Sequence, residues 1–195
     1  MISYQLFKQR QELKELEFIS NIDITVMTFI QEQITNPVLD FIMPTISFMG
    51  NLGLVWVFII ILLLCRRQTR HLGIAVLAAI LLGQLIGELL LKNIVGRARP
   101  FMDFPEIQLI IEAPKTFSFP SGHSASSFAA AVVLSRLGKA EGIAAFIIAA
   151  LIAFSRLYLS VHYFTDILAG IMLGLLCAFA VLKFCDKKEI PLILK

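Results

Sequence analysis

Apolar residues run through this chain in blocks longer than a soluble core helix needs. Crossing ~30 Å of hydrocarbon takes roughly 20 mainly apolar residues in a helix. Phe41–Cys65 contains no charged residue, and Leu72–Leu91 is interrupted only by Gln84 and Glu88. A shorter third block surrounds Ala125–Leu134, reaching back to Ser121-Gly122-His123 and on to Leu137. Ile143–Leu159 and Ile167–Phe184 give a fourth and a fifth. The pattern predicts an all-α fold, a polytopic membrane helical bundle with five spans, built as one domain over residues 1–195.

Residues 18–34 are ambiguous. Ile19, Ile22, Val26, Phe29 and Ile30 recur at helical spacing, while Asn21, Asp23, Gln31 and Glu32 interrupt them. The segment fits a borderline sixth span or an amphipathic helix lying in the interface, and the span is the reading carried forward. Asn36-Pro37 ends it in either case.

The basic residues between the blocks set an orientation. Arg66, Arg67 and Arg70 follow the first span, Arg136 and Lys139 the third, and Lys183, Lys187, Lys188 and Lys195 the last. Alternation puts all of them on one side, which positive charge marks as cytoplasmic. Lys8, Arg10 and Lys14 join that side if residues 18–34 cross. The segment Lys92–Pro120 and the turn Val161–Phe164 then face away from the cytoplasm. The expected place is a cell membrane, with the site on the extracytoplasmic side.

Composition agrees with the blocks. Hydrophobic residues make up 58% of the chain and charged residues 16%, against roughly a quarter charged in soluble domains. The net charge of +3 comes from short clusters, with no basic stripe to suggest a nucleic-acid partner. Cys65, Cys177 and Cys185 show no metal or redox spacing and read as apolar fillers. The charged stretch Lys8–Glu17 does not resemble a cleavable signal peptide.

Polar residues collect at the extracytoplasmic ends of the spans, where their cost makes them candidates for a site. His162 and Asp166 are four apart, on one helix face, so the carboxylate can fix the imidazole tautomer and leave the other nitrogen free to attack. A helix-start histidine with an incidental partner is the bland alternative. Pro120-Ser121-Gly122-His123 opens a helix, where a Ser121 cap, the close approach permitted by Gly122 and the helix dipole suit phosphate. A plain cap would explain Ser121 and Pro120 but not His123. Lys92, Arg99 and Arg156 can supply positive charge without a metal. Snorkelling toward lipid head groups is their alternative role, and it is the one expected of Arg97. Glu88, one turn before Lys92, is expected to form a structural pair with it.

Together these residues resemble the type-2 phosphatidic acid phosphatase superfamily. Lys92, six residues and Arg99-Pro100 are similar to its first motif, and Pro120-Ser121-Gly122-His123 to its second. Ser155-Arg156, five residues, His162, three residues and Asp166 are similar to its third. The resemblance implies a membrane lipid phosphatase in which His162 attacks phosphorus, Asp166 orients His162, and His123 serves the leaving oxygen and then the hydrolytic water. Lys92, Arg99, Arg156, Ser121 and Gly122 would hold the phosphate oxygens. It implies no cofactor and no metal, and Asp103, Glu106 and Glu112 show no metal-site spacing. The implied partner is a phosphorylated lipid in the bilayer, with undecaprenyl diphosphate ahead of phosphatidylglycerophosphate and phosphatidate. A transporter would need polar groups through the membrane depth, and only Gln84 and Glu88 sit within a span. A non-catalytic lipid-binding relative would not need His123, His162 and Asp166 together, and a lipid phosphotransferase would share the same motifs.

Overall fold

The computed structural model describes residue 17 and residues 19–193, and among them there is no strand. The candidate orientation residues Lys8, Arg10, Lys14 and Lys195 lie outside the described residues. Residues 19–29 are helical and widen into a π turn at Ile30–Ile34, together forming α1. Helix α2, Pro37–Gly50, starts with proline at its first position. The Asn36 carboxamide oxygen accepts the N–H groups of Val38 and Leu39, both at 3.1 Å.

The expected continuous span over Phe41–Cys65 is broken. Asn51–Gly53 forms a single 3₁₀ turn and Gly53 adopts φ +67°, a left-handed conformation that suits glycine. Helix α3, Leu54–Cys65, leaves at 47° to α2. Helix α4 begins as Arg70–Gln84, loosens to a π-helical stretch at Leu85–Leu91 and finishes as Lys92–Val95. A short helix α5, Pro100–Asp103, precedes the loop that leads to α6, Gly122–Leu134. Helices α7, Lys139–Tyr158, and α8, Phe164–Lys187, complete the bundle.

Arg70–Asp103, Lys139–Tyr158 and Phe164–Lys187 are long and apolar enough to cross a membrane, and the bent α2–α3 pair makes a fourth if taken as one unit. Helix α6 has 13 residues, about 20 Å at 1.5 Å per residue, which is short of the ~30 Å hydrocarbon thickness. Helix α1 is not among those that meet the length and hydropathy required. It lies against the connection between α7 and α8, where Gln31 Nε2 donates to the Tyr158 carbonyl at 3.2 Å and to Ser160 Oγ at 2.9 Å.

Helix α6 packs against α4, α7 and α8. Ala129 to Val133 are buried there with Trp56, Val76 and Ile152. The indole N–H of Trp56 is satisfied by Ser127 Oγ at 3.0 Å. The cysteines are free, with Cys177 and Cys185 buried among apolar neighbours. Gly170 and Gly174 on α8 let α6 approach as closely as small residues permit. A Cβ at Gly170 would stand 2.4 Å from the Ser121 carbonyl oxygen, and one at Gly174 2.4 Å from that of Ala125. Gly170→Ala therefore forces two helix backbones apart. The expected cost is about 1–3 kcal/mol, read as a lower melting temperature in detergent together with loss of activity. An unchanged melting temperature would show that α6 can slide without penalty.

The residues singled out for chemistry gather at one end of this bundle. At the other end Arg136 meets Asp186 at 3.6 Å and His71 Nδ1 meets the Pro191 carbonyl at 2.8 Å.

Candidate active site

The close contact of α6 and α8 joins two of the motifs directly. The Ser121 N–H donates to the Asp166 carbonyl at 3.0 Å, at the start of both helices. Asp166 is the third residue of α8 and its Oδ2 accepts the Tyr163 N–H at 2.9 Å, a cap that fixes the first turn. His162, on the preceding connection, is buried beside it. Its Nδ1 lies 3.6 Å from Asp166 Oδ2, longer than a hydrogen bond. Ser118 closes that gap: its hydroxyl donates to Asp166 Oδ2 at 2.5 Å and stands 3.4 Å from Nδ1. The acceptors around Nδ1 favour the Nδ1–H tautomer. The lone pair of Nε2 then points toward Arg99 Nη1, 3.3 Å away.

Nε2 faces a cavity of about 1300 Å³ whose polar end is lined by Lys92, Arg99, Gly122, His123, Arg156 and His162. Lys92 pairs with Glu88 at 2.8 Å and donates to Thr116 Oγ1 at 3.1 Å, so the expected structural pair is present. Arg99 is held by the carbonyls of Thr116, Phe117 and Val161 at 2.7, 3.1 and 2.6 Å. These bonds leave one N–H directed at His162 Nε2. Arg156 is 4% exposed, donates to Ser47 Oγ, and has a buried Nε without a partner. A buried guanidinium without a carboxylate is costly unless an anion arrives. Three cations thus line one space, where Glu88 pairs with Lys92 alone, an arrangement suited to a multiply charged anion.

Ser121 fills the cap role expected of it. Its hydroxyl is fully buried and acts as the α6 cap, accepting the Ser124 hydroxyl at 3.0 Å and the Ser124 N–H at 3.4 Å, and it does not line the cavity. Gly122 does line it, and a Cβ there would meet Glu88 Oε1 at 2.7 Å. His123 sits across the cavity from His162, its Nε2 2.9 Å from Asn51 Oδ1. Gly50 makes room for that ring, since a Cβ would stand 2.6 Å from His123 Cδ2.

Arg97 is the clearest correction. It does not snorkel: it bridges Asp23 Oδ2 at 2.6 Å and Asp166 Oδ1 at 2.7 Å, with its guanidinium 4.1 Å from the centroid of the Tyr163 ring. Ser47, Asn51, Ser118, Arg97 and Asp23 were not expected at the site. Asp23 had stood only as a polar interruption of an apolar face.

Burial drives the His162 imidazole down to about 3, the Asp166 carboxylate opposes this, and the charges of Arg99 and Arg156 push further down. A depressed value keeps the ring neutral at every pH above it, so one ring nitrogen keeps its lone pair across the physiological range. The chain has three histidines, few enough to resolve by nitrogen-15 NMR. The His162 ring is expected to keep one spectrum from pH 8 to pH 5. A titration midpoint close to the ordinary imidazole value near 6.5 would show that the ring is solvated instead.

Among the described residues no three His, Cys, Asp or Glu side chains come together as a metal site. The model of the PAP2 superfamily matches residues 71–190. An undecaprenyl-diphosphatase from Sulfolobus acidocaldarius is 33% identical over 121 residues, covering 62% of this chain and 58% of that protein. Phosphatidylglycerophosphatase B from Bacillus subtilis is 41% identical over 108 residues, covering 50% of each. The chain thus spans about half the length of these relatives. The crystal structure of a transmembrane PAP2-type phosphatidylglycerolphosphate phosphatase from Bacillus subtilis superposes with a TM-score of 0.71 at 30% identity, covering 87% of both chains. That of Aquifex aeolicus LpxE gives 0.74 at 27% identity, covering 83% of this chain and 94% of the other. The matched region carries the three motifs whose side chains meet in the cavity, and the chain belongs to the PAP2 superfamily.

Proposed function

We propose that this protein is a membrane lipid phosphatase acting through a phosphohistidine on His162. The gathering of Lys92, Arg99 and Arg156 in one cavity with His162, with the Arg156 Nε unpartnered, carries the reading. The substrate phosphate takes the place facing Nε2, its oxygens drawing on these cations and on the start of α6 at Gly122. Nε2 forms the bond to phosphorus as the bond to the leaving oxygen breaks. His123, entering as the imidazolium beside the bound phosphate, leaves Asn51, gives that oxygen a proton and is left neutral. His123 then takes a proton from water as the water attacks the phosphohistidine, which restores His162 and frees phosphate. Most of the acceleration comes from positioning and charge, as in other phosphoryl transfers.

The shape of the cavity favours a lipid over a soluble sugar phosphate. Below the cations its wall is Val57 and Ile60 of α3 and Leu77, Ile80 and Leu81 of α4, and Leu81 is 58% exposed on the outside of the bundle. An apolar chain can occupy that wall while its phosphate stays with the cations. The preferred substrate is undecaprenyl diphosphate, in line with the relative named for that activity. Phosphatidylglycerophosphate is the second reading, favoured by the Bacillus subtilis enzyme and structure. The proposed topology has five crossings, with α6 as a short third, and a site facing away from the cytoplasm because Arg66, Arg67, Arg70, Arg136 and Lys139 lie at the opposite ends of the helices.

The test is phosphate release in detergent with excess EDTA, comparing undecaprenyl diphosphate, phosphatidylglycerophosphate and phosphatidate. Metal-independent release is expected, fastest with undecaprenyl diphosphate. A different ranking replaces the substrate, and no release from any of the three overturns the hydrolase reading.

A further inference from the structure

We infer that Asp23, on the helix that precedes the region matched by the family model, is a positioning residue for the nucleophile, acting through Arg97 and Asp166. The inference rests on the phosphatase reading for its kinetic consequence, while its geometry stands apart from it.

Asp23 is 1% exposed, although it sits in a helix whose polar residues otherwise face outward or meet the α7–α8 connection. Burying a carboxylate is costly unless it is paired and hydrogen-bonded, and here three bonds come from two neighbouring groups, Thr165 and Arg97. Oδ1 accepts the Thr165 N–H at 2.9 Å. Oδ2 accepts the Thr165 hydroxyl at 2.6 Å and Arg97 Nη2 at 2.6 Å. The same threonine oxygen accepts Arg97 Nη1 at 2.8 Å, and that nitrogen also donates to Asp166 Oδ1 at 2.7 Å. Thr165 is the residue before Asp166. Asp23 therefore fixes both the backbone that carries Asp166 and the guanidinium that holds its outer oxygen. The inner oxygen is left for Ser118, Tyr163 and the Nδ1 side of His162.

Charge gives the arrangement a second effect. Arg97 facing Asp166 alone would spend its whole positive charge there and weaken the support that Asp166 gives to an imidazole turning cationic as it attacks. Sharing Arg97 between two carboxylates leaves Asp166 more of its negative charge for His162. Holding the helix in place would not need this link, because Gln31 and Asn36 already tie α1 and its end to Tyr158 and Ser160.

The experiment compares Asp23→Asn, Asp23→Glu and Gln31→Ala with the wild type for kcat, KM, melting temperature and the nitrogen-15 spectrum of His162. Asp23→Asn is expected to lower kcat by about 10- to 100-fold, the size of loss common when an outer partner of an active-site group is removed. KM should stay within about twofold, because the cavity cations do not contact Asp23. Asp23→Glu should recover part of the loss. Gln31→Ala, which loosens the same helix without touching the Asp166 relay, should keep most of kcat. In the spectrum, the Nδ1–H form of the wild type should give way to mixed tautomers in Asp23→Asn. Wild-type kcat in Asp23→Asn, or equal losses in Asp23→Asn and Gln31→Ala that follow melting temperature, would overturn the inference. The spectrum is read without substrate. An unchanged Asp23→Asn spectrum counts against this inference, whereas a wild type that releases no phosphate counts against the proposed function.

Discussion

Replacing His162 with alanine is expected to remove phosphate release altogether, by a factor on the order of 10⁶, the scale met when a hydrolase loses its nucleophile. In the proposed mechanism the Nε2 lone pair is the nucleophile, and alanine leaves only solvent to attack. The fold should tolerate the change. Arg99 gives up one long contact and keeps its carbonyl partners at Thr116, Phe117 and Val161, and Asp166 keeps Arg97, Ser118 and the Tyr163 N–H. The variant should therefore still bind the lipid and protect the protein against heat as the wild type does. Rapid quenching of wild type with phosphorus-labelled substrate should trap an acid-labile, base-stable phosphoprotein, absent from the variant. Normal turnover in folded His162→Ala would mean that water attacks phosphorus directly and that His162 serves only the pocket.

The separation between what could be read from sequence and what could not follows the distance over which each group acts. His162 and Asp166, or Glu88 and Lys92, are one helical turn apart, and spacing alone brings them near each other. The three motifs lie at helix ends, where the cost of polar groups in hydrocarbon makes them conspicuous. Arg97 failed on the same logic. Its position beside Lys92 and Arg99 suggested head groups, but its partners lie 74 and 69 residues away, and no local pattern points to them. Asp23 carried the complementary signal, an acid interrupting a helical apolar pattern, and nothing local to it names a partner 74 residues away. Ser118, Ser47 and Asn51 are small polar residues with no spacing to a motif, and only the packing of α2 and the loop before α6 brings them to His162, Arg156 and His123.

Helix boundaries show the same limit. Gly50, Asn51 and Gly53 are turn-forming residues inside an apolar run, so the break between α2 and α3 had a local signal that hydropathy outweighed. The brevity of α6 was visible in the distance from Ser121 to Leu137. Gly170 and Gly174, four apart on α8, marked the contact that brings the second and third motifs together, a pattern of small residues that apolar counting passes over. Ser121 was legible as the α6 cap from its place before the helix, and the bond from the Ser124 N–H fills that role.

Asp166→Asn is expected to leave lipid binding near normal and slow turnover by a factor on the order of 10⁴, as when the carboxylate of a serine-protease triad is lost. That factor corresponds to roughly 5 kcal/mol of transition-state stabilisation. Asp166 accepts Arg97 on one oxygen and Ser118 and the Tyr163 N–H on the other. Either orientation of an asparagine amide therefore turns an NH₂ group toward a donor. With the Arg97 donor displaced, Asp23 still neutralises the guanidinium, so the loss appears at His162 rather than as collapse of the site. With Ser118 displaced, the bridge to Nδ1 opens and the tautomer that bares Nε2 is no longer favoured. Both routes remove the negative charge that supports the imidazole as phosphorus bonds to it, and both should lower kcat with little change in KM. The cavity cations proposed to bind phosphate, Lys92 and Arg156, make no bond to Asp166. A folded Asp166→Asn protein with an unchanged rate would show that Ser118 and Arg99 orient His162 without it.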